Sequence, residues 1–192
     1  MLGKDKEKNK GVLEWLKHVE FDEENGEIAI SGQRHALVFN GIFADLRERM
    51  RAIIGHSADV IIYEVGREHV KKVLNYYLQH YPPLKLLVKT GIGKEQLAKK
   101  AAELLTAYGF GKAEIEKLDL ENESIITLKN SFVASFYKKR NLNQDRPVCS
   151  LVAGFIAGAA EVIGNGKYEC KEIECIAKGD EVCRFVVTKV KD

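Results

Sequence analysis

All four cysteines of this chain lie in its last quarter, and three of them, Cys149, Cys175 and Cys183, bracket a glutamate, Glu172. Thiolate and carboxylate are ordinary zinc ligands, and four protein ligands fill the tetrahedral shell of a structural site. An ion shared by these residues would force separate segments to converge. Cys149 follows Pro147 at the head of an apolar, glycine-dotted run over 148–163. Cys175 and Cys183 flank Lys178-Gly179-Asp180, a turn signal between two alternating, strand-like segments. A hairpin turning at 178–180 sets Cys175 opposite Cys183, at a cross-strand distance that suits two sulfurs on one ion. Cys149 at the start of a helix sits at the positive end of the helix dipole, which favours the thiolate.

Glu172 is the awkward member. Strand alternation turns it to the face opposite Cys175, so it joins the cluster only across a bulge at Ile173-Glu174. Cys170 shares the parity of Glu172 and is the alternative fourth ligand. The spacing lacks the repeated Cys-x-x-Cys of the strong zinc signatures. A Cys175–Cys183 disulfide, or plain buried thiols, therefore remain open readings. The charged first ten residues have no apolar core and do not read as a signal peptide, which points to a cytoplasmic, reducing home. A Lys/Glu-rich composition of the hyperthermophile type is the context in which intracellular disulfides persist.

The 192 residues, 45% of them apolar, suit a single domain with a tail: residues 1–20 as tail and short amphipathic helix, 21–192 as the domain. Thirty basic residues against 28 acidic ones give a net charge of +2, which argues against a dedicated nucleic-acid binder. No apolar run has the length of a membrane span. Helical periodicity marks 11–20 around Trp15, then a helix after Asn40 that ends at Gly55, another over about 58–80, and a third over 94–108. Alternation marks strands over 27–39, 113–120 and 124–130, and a final hairpin of 167–177 with 181–190. Phe132, Phe136 and Tyr137 form an aromatic knot before the loop 141–146. The sum is an α+β fold, an antiparallel sheet of about four to five strands packed against several helices.

Several motifs carry no function. Thr90-Gly91-Ile92-Gly93-Lys94 lacks the glycine spacing and the hydroxyl residue of a phosphate-binding loop. The five histidines are scattered, with no pair four apart and no neighbouring cysteine. No strand-to-helix dinucleotide fingerprint is present. Gly154 and Gly158, four apart among alanines, give the 148–163 helix a small-residue face for close approach to a neighbour, while Leu151, Val152, Phe155 and Ile156 on the same helix offer a cavity wall.

Cys149-x4-Gly154-x3-Gly158, Glu172-x2-Cys175, Gly179 and Cys183-x-Phe185 resemble the signature of the 4-vinyl-reductase-like domain, and Ile62-Tyr63-Glu64-Val65-Gly66 resembles an earlier helical signature of that family. The resemblance covers about residues 40–190. It implies a fold shared with subunits of a Golgi vesicle-tethering complex, often dimeric, and with the effector-binding domains of phenol- and xylene-responsive activators, where zinc buttresses an aromatic pocket. Carried over, it implies Cys149, Glu172, Cys175 and Cys183 as zinc ligands. This chain carries neither an ATPase module nor a recognisable helix-turn-helix.

The reading that results is a ligand-binding or sensor domain for a small, mostly apolar molecule, with zinc as a structural clamp. Its pocket is expected between Phe132, Phe136, Tyr137 and Phe155, with Tyr137 as a polar handle. The charge of the cluster is expected to be offset by Arg146, Lys171, Lys178 and Arg184. A homodimer is expected, with no nucleic-acid or membrane partner and no catalytic residue. A scaffold subunit acting through protein contacts is the alternative from another class, and an enzyme of tetrapyrrole vinyl-group metabolism is a third.

Overall fold

The computed structural model describes residues 18–80 and 93–191, together with Leu86 and Val88. The chain opens on a three-stranded antiparallel meander of β1 (Val19–Asp22), β2 (Glu27–Ile30) and β3 (Gln33–His35). Three helices follow: α1 (Gly41–Ile54), α2 (Ser57–His80) and α3 (Lys94–Ala107). Next come β4 (Lys112–Lys117), β5 (Glu123–Lys129), the short α4 (Phe132–Lys139) and α5 (Ser150–Gly164). The chain ends on β6 (Tyr168–Glu174), a single 3-10 turn (Ile176–Lys178) and β7 (Cys183–Lys189). The second sheet has the order β4-β5-β7-β6 and is antiparallel throughout. The α+β architecture expected from the periodicity is present, with two sheets rather than one.

Helix α5 is the core of the molecule because its sequence, SLVAGFIAGAAEVIG, has almost no polar face. A helix apolar all round has to be covered all round. The sheet covers one side through inward-facing Tyr168, Cys170, Phe185 and Val187. Helix α2 covers the other at very close range. A Cβ on Gly154 would run into the carbonyl oxygen of Tyr63, one on Gly158 into that of Arg67, and one on Gly66 into that of Leu151. The crossing is tied at its far end by Glu161, which accepts from Arg67 and pairs with Lys71 at 3.3 Å. The small-residue face expected on this helix is therefore its contact with α2.

Two expectations at the amino terminus are revised. The helix over 11–20 falls mostly outside the described residues, and its end does not exist: Val19 and Glu20 belong to β1, so the boundary at residue 20 cuts a strand. The single strand over 27–39 is two strands, folded at Ser31-Gly32, where both residues have positive φ (50° and 75°). Serine gives little warning of a left-handed conformation, which is why the turn reads as continuous strand. No described helix is long and apolar enough to cross a membrane.

Candidate functional site

Cys149, Glu172, Cys175 and Cys183 come together as one buried group, with a ligand atom of each within 4.8 Å of the others. Cys149 is the N-cap residue of α5, its sulfur 3.6 Å from that of Cys183 and 3.1 Å from the hydroxyl of Ser131. Ser131 in turn caps α4 by accepting from the Ala134 amide. Glu172 accepts from the Cys149 backbone N–H at 2.8 Å through Oε2. The bulge that Glu172 requires is there: β6 and β7 pair Glu172 with Phe185 but Glu174 with Arg184, so Ile173 is the extra residue. It restores Cys175 to the inner face that Tyr168, Cys170 and Glu172 share. The Cys175 amide donates to Asp180 at 2.7 Å, pinning the turn, and the Ile176 amide points at the Cys183 sulfur at 3.5 Å. Cys170 lies outside the group, and all four cysteines are free, so the disulfide reading is set aside.

The arrangement fits a divalent cation on three counts. The Cys149–Cys183 sulfur separation of 3.6 Å is close to the edge, about 3.8 Å, of a tetrahedron with Zn–S near ~2.3 Å. Oε1 of Glu172 is buried without a hydrogen-bond partner. The electrostatics also lack a positive charge: burial, then the neighbouring Cys175, pushes the Glu172 carboxyl up to about 8, and burial pushes the Cys149 thiol up. Cys175 alone is driven down, by hydrogen bonds from Cys149 and Cys183, so the group concentrates negative charge on one sulfur. The cations expected to relieve it are elsewhere. Arg184 pairs with Glu174 and Glu116, Arg146 lies beside Asp145, and Lys171 and Lys178 are exposed.

A cavity of ≈ 840 Å³ lies on the other side of α4 and α5. Helix α5 contributes Phe155, Ile156, Ala159, Ala160 and Ile163, and the sheet contributes Ile115, Ser124, Ile126 and Val187. Helices α2 and α3, the small sheet and the stretch 36–43 close the remaining walls. A continuous set of rings runs along one side. Phe110 stands 5.0 Å from Phe132 and 5.3 Å from Phe155 between ring centroids, and Phe43 meets Phe132 edge-on at 5.2 Å. The polar lining is sparse. His35 Nε2 lies 3.2 Å from the Tyr108 hydroxyl, and His69 packs against Phe155.

Of the four aromatic residues expected at a ligand site, Phe132 and Phe155 line this cavity and Phe136 and Tyr137 do not. Tyr137 is 1% exposed and donates to Glu48 at 2.7 Å while accepting from Arg47. Arg47, a fully buried guanidinium on α1, also bonds Asp59 and Gln144. Phe136 turns toward Gly41 and carries the Arg140 guanidinium over its ring at 4.1 Å. On a short helix, consecutive residues cannot face one side, and Phe132 sits a full turn from Phe136. The residues that sequence reasoning missed, His35, Tyr108 and Phe110, come from segments that meet only in three dimensions. Phe110, just beyond the helix-ending Tyr108-Gly109, gave the one local signal.

These features define a class: an α+β domain with an apolar cavity and a buried Cys-Glu-Cys-Cys group sharing the walls α4 and α5. A model of the vinyl-4-reductase domain matches residues 125–189, the segment from β5 to β7. The uncharacterised protein MJ0150 of Methanocaldococcus jannaschii is 30% identical over 138 residues, which cover 72% of this chain and 68% of that protein. The chain belongs to the vinyl-4-reductase domain family. The phenol regulator MopR of Acinetobacter guillouiae is 20% identical over 190 residues, covering 94% of this chain but 32% of the regulator. The phenol-responsive sensory domain of the transcription activator PoxR, solved with phenol, has the same fold, with a TM-score of 0.76 at 16% identity over 96% of this chain and 91% of that one.

Proposed function

We propose that this chain is a sensor domain that binds a small, mostly apolar molecule in the cavity between α2, α3, α5 and the sheet, and that zinc held by Cys149, Glu172, Cys175 and Cys183 clamps its walls. The observation that carries the reading is the cavity itself. Its volume of ≈ 840 Å³ falls in the range of roughly 300–1,000 Å³ typical of small-molecule sites, and its lining is apolar with a few polar groups. The phenol-responsive relatives support the same reading. A bound zinc supplies folding free energy rather than reactivity, tying the head of α5 to the β6–β7 turn. Native mass spectrometry of protein purified without chelator tests both halves. About one zinc per chain is expected, on the four-ligand logic, with a co-purifying apolar molecule that denaturation releases. Protein free of metal, whose melting temperature no apolar compound raises, would overturn the reading.

A second feature favours assembly as well. Helices α1 and α2 expose Ile42, Leu46, Ile53, Val60, Ile61 and Val65, with Ile53 at 82% exposure. A contiguous apolar face on a soluble domain marks a protein contact. A symmetric homodimer through this face is the simplest closed assembly, and light scattering at micromolar concentration decides it against a monomer.

A further inference from the structure

We infer that the cavity takes an elongated, single-chain molecule bearing a neutral hydroxyl, and that Tyr108, held by His35, is the residue that reads the hydroxyl. This rests on the proposed ligand-binding role and names the class of ligand.

Length comes first. Phe155 and Ile163 both line the cavity and stand eight residues apart on α5, about 12 Å at about 1.5 Å per residue. The ring-rich wall of Phe110, Phe132 and Phe155 occupies one region, while Leu118, Leu120, Ile115, Ala160 and Ile163 continue as aliphatic and small side chains. Leu120 marks the far region, its carbonyl accepting from Tyr168 at 2.7 Å beside the end of α5. A single phenol ring would fill a fraction of this volume and leave most of the apolar wall without contacts. A flexible alkyl or prenyl chain covers it.

Head-group chemistry follows from the polar pair. His35 Nδ1 lies 2.7 Å from the Gln33 carbonyl oxygen, which can only accept, so in the neutral ring the proton sits on Nδ1. Nε2 is then an acceptor, and the Tyr108 hydroxyl 3.2 Å away donates to it. With its proton committed, the Tyr108 oxygen acts toward a ligand as an acceptor, which matches an O–H and repels a carboxylate. Burial and the neighbouring Tyr77 push the Tyr108 phenol well above its ordinary value, which keeps that proton in place.

Charge agrees. Among the described lining residues there is no lysine, and the one arginine, Arg34, is 70% exposed and paired with Glu27 at 2.8 Å. No buried cation waits for an acid. Burying a carboxylate without a partner is expensive, whereas burying an alcohol against one acceptor is not.

The test is a concentration series of melting temperatures on the full, metal-loaded chain with 1-dodecanol, 1-methoxydodecane, dodecanoate at pH 8 and phenol. Dodecanol is expected to bind at least ten-fold more tightly than dodecanoate and than phenol. Tyr108→Phe, which keeps the ring and its packing, is expected to weaken dodecanol about ten-fold and to leave the methyl ether unchanged. Dodecanoate binding as well as dodecanol, or a Tyr108→Phe variant that weakens alcohol and ether equally, overturns the assignment of the hydroxyl. Phenol binding while dodecanol does not overturns the chain-length inference and leaves the ligand-binding role standing. No shift with any of the four overturns both. Ala159→Phe, which fills the cavity from α5 at a half-buried position, is expected to abolish every shift, and retained shifts in that variant place the binding outside this cavity and overturn the inference.

Discussion

Glu172 shows how much one side chain can be asked to do. It holds the first amide of the α5 cap through one oxygen and leaves the other buried and unpaired beside three sulfurs. Removing a thiolate from such a group removes charge without much change of shape, so Cys183→Ser is the cleanest probe. The variant is expected to purify with far less than one zinc per chain. It is expected to melt at least about 5 °C lower, given about 2–4 °C per kcal/mol for a chain of this size. Elemental analysis and a thermal melt check both. Glu161 offers a prediction in pH. Burial alone would raise its pKa, but the hydrogen bonds from Arg67 and the Tyr168 amide outweigh that and hold it below the ordinary glutamate range. A depressed carboxylate contributes stability above its unfolded pKa of about 4.3 and loses it as pH falls through the folded value. Glu161→Gln is therefore expected to lower the melting temperature at pH 7 and to flatten its fall below about pH 4. Equal losses at pH 3 and pH 7 would contradict the linkage. At this scale the metal group was legible because its parity problem has one solution, a bulge. The role of Tyr137 was not legible, since it depends on Arg47, a buried charge ninety residues away that no local pattern flags.

Among the elements, α5 and α2 set the tolerance of the whole core. Their backbones approach so closely that a Cβ at Gly154 meets the Tyr63 carbonyl oxygen and the Arg67 backbone nitrogen rather than a movable side chain. Gly154→Ala gains helix propensity yet forces the two helices apart, and overpacking of this kind costs about 1–3 kcal/mol. The expected result is a lower denaturation midpoint, measured in urea, despite the better helix former. A rise would mean that the crossing gives way easily. The bulge is testable in the same way. Deleting Ile173 makes β6 regular, so that Glu172 and Cys175 face opposite sides of the sheet. Zinc retention is expected to fail in that variant while the β5–β7 pairing remains. The long helices were readable from periodicity and from Gly55 as a stop, and the final hairpin from its alternation. The meander was not, because the positive φ of Ser31 leaves no mark in composition.

On the scale of the whole molecule, the cavity and the metal group share structure. Phe132 faces the cavity at the start of α4, while Ser131, the cap of that helix, touches the Cys149 sulfur. Cys149 caps α5, whose Phe155, Ala159 and Ile163 form the cavity wall. Such walls come from segments spread between residue 19 and residue 187, which is why two of the expected pocket residues fell elsewhere. A ligand that orders α4 and α5 and an ion that ties down their first residues act on the same elements, so each is expected to strengthen the other. Linkage requires the two effects to be equal, and couplings between sites are typically about 5–150-fold. Chelator-stripped protein is thus expected to bind dodecanol at least about 5-fold more weakly than the zinc-loaded protein. Saturating dodecanol is expected to tighten zinc by the same factor, measured by competition with a colorimetric chelator of known affinity. Unequal factors would point to a second zinc or ligand site, and two unchanged affinities would mean that the metal group holds the β6–β7 turn without bearing on the cavity at all.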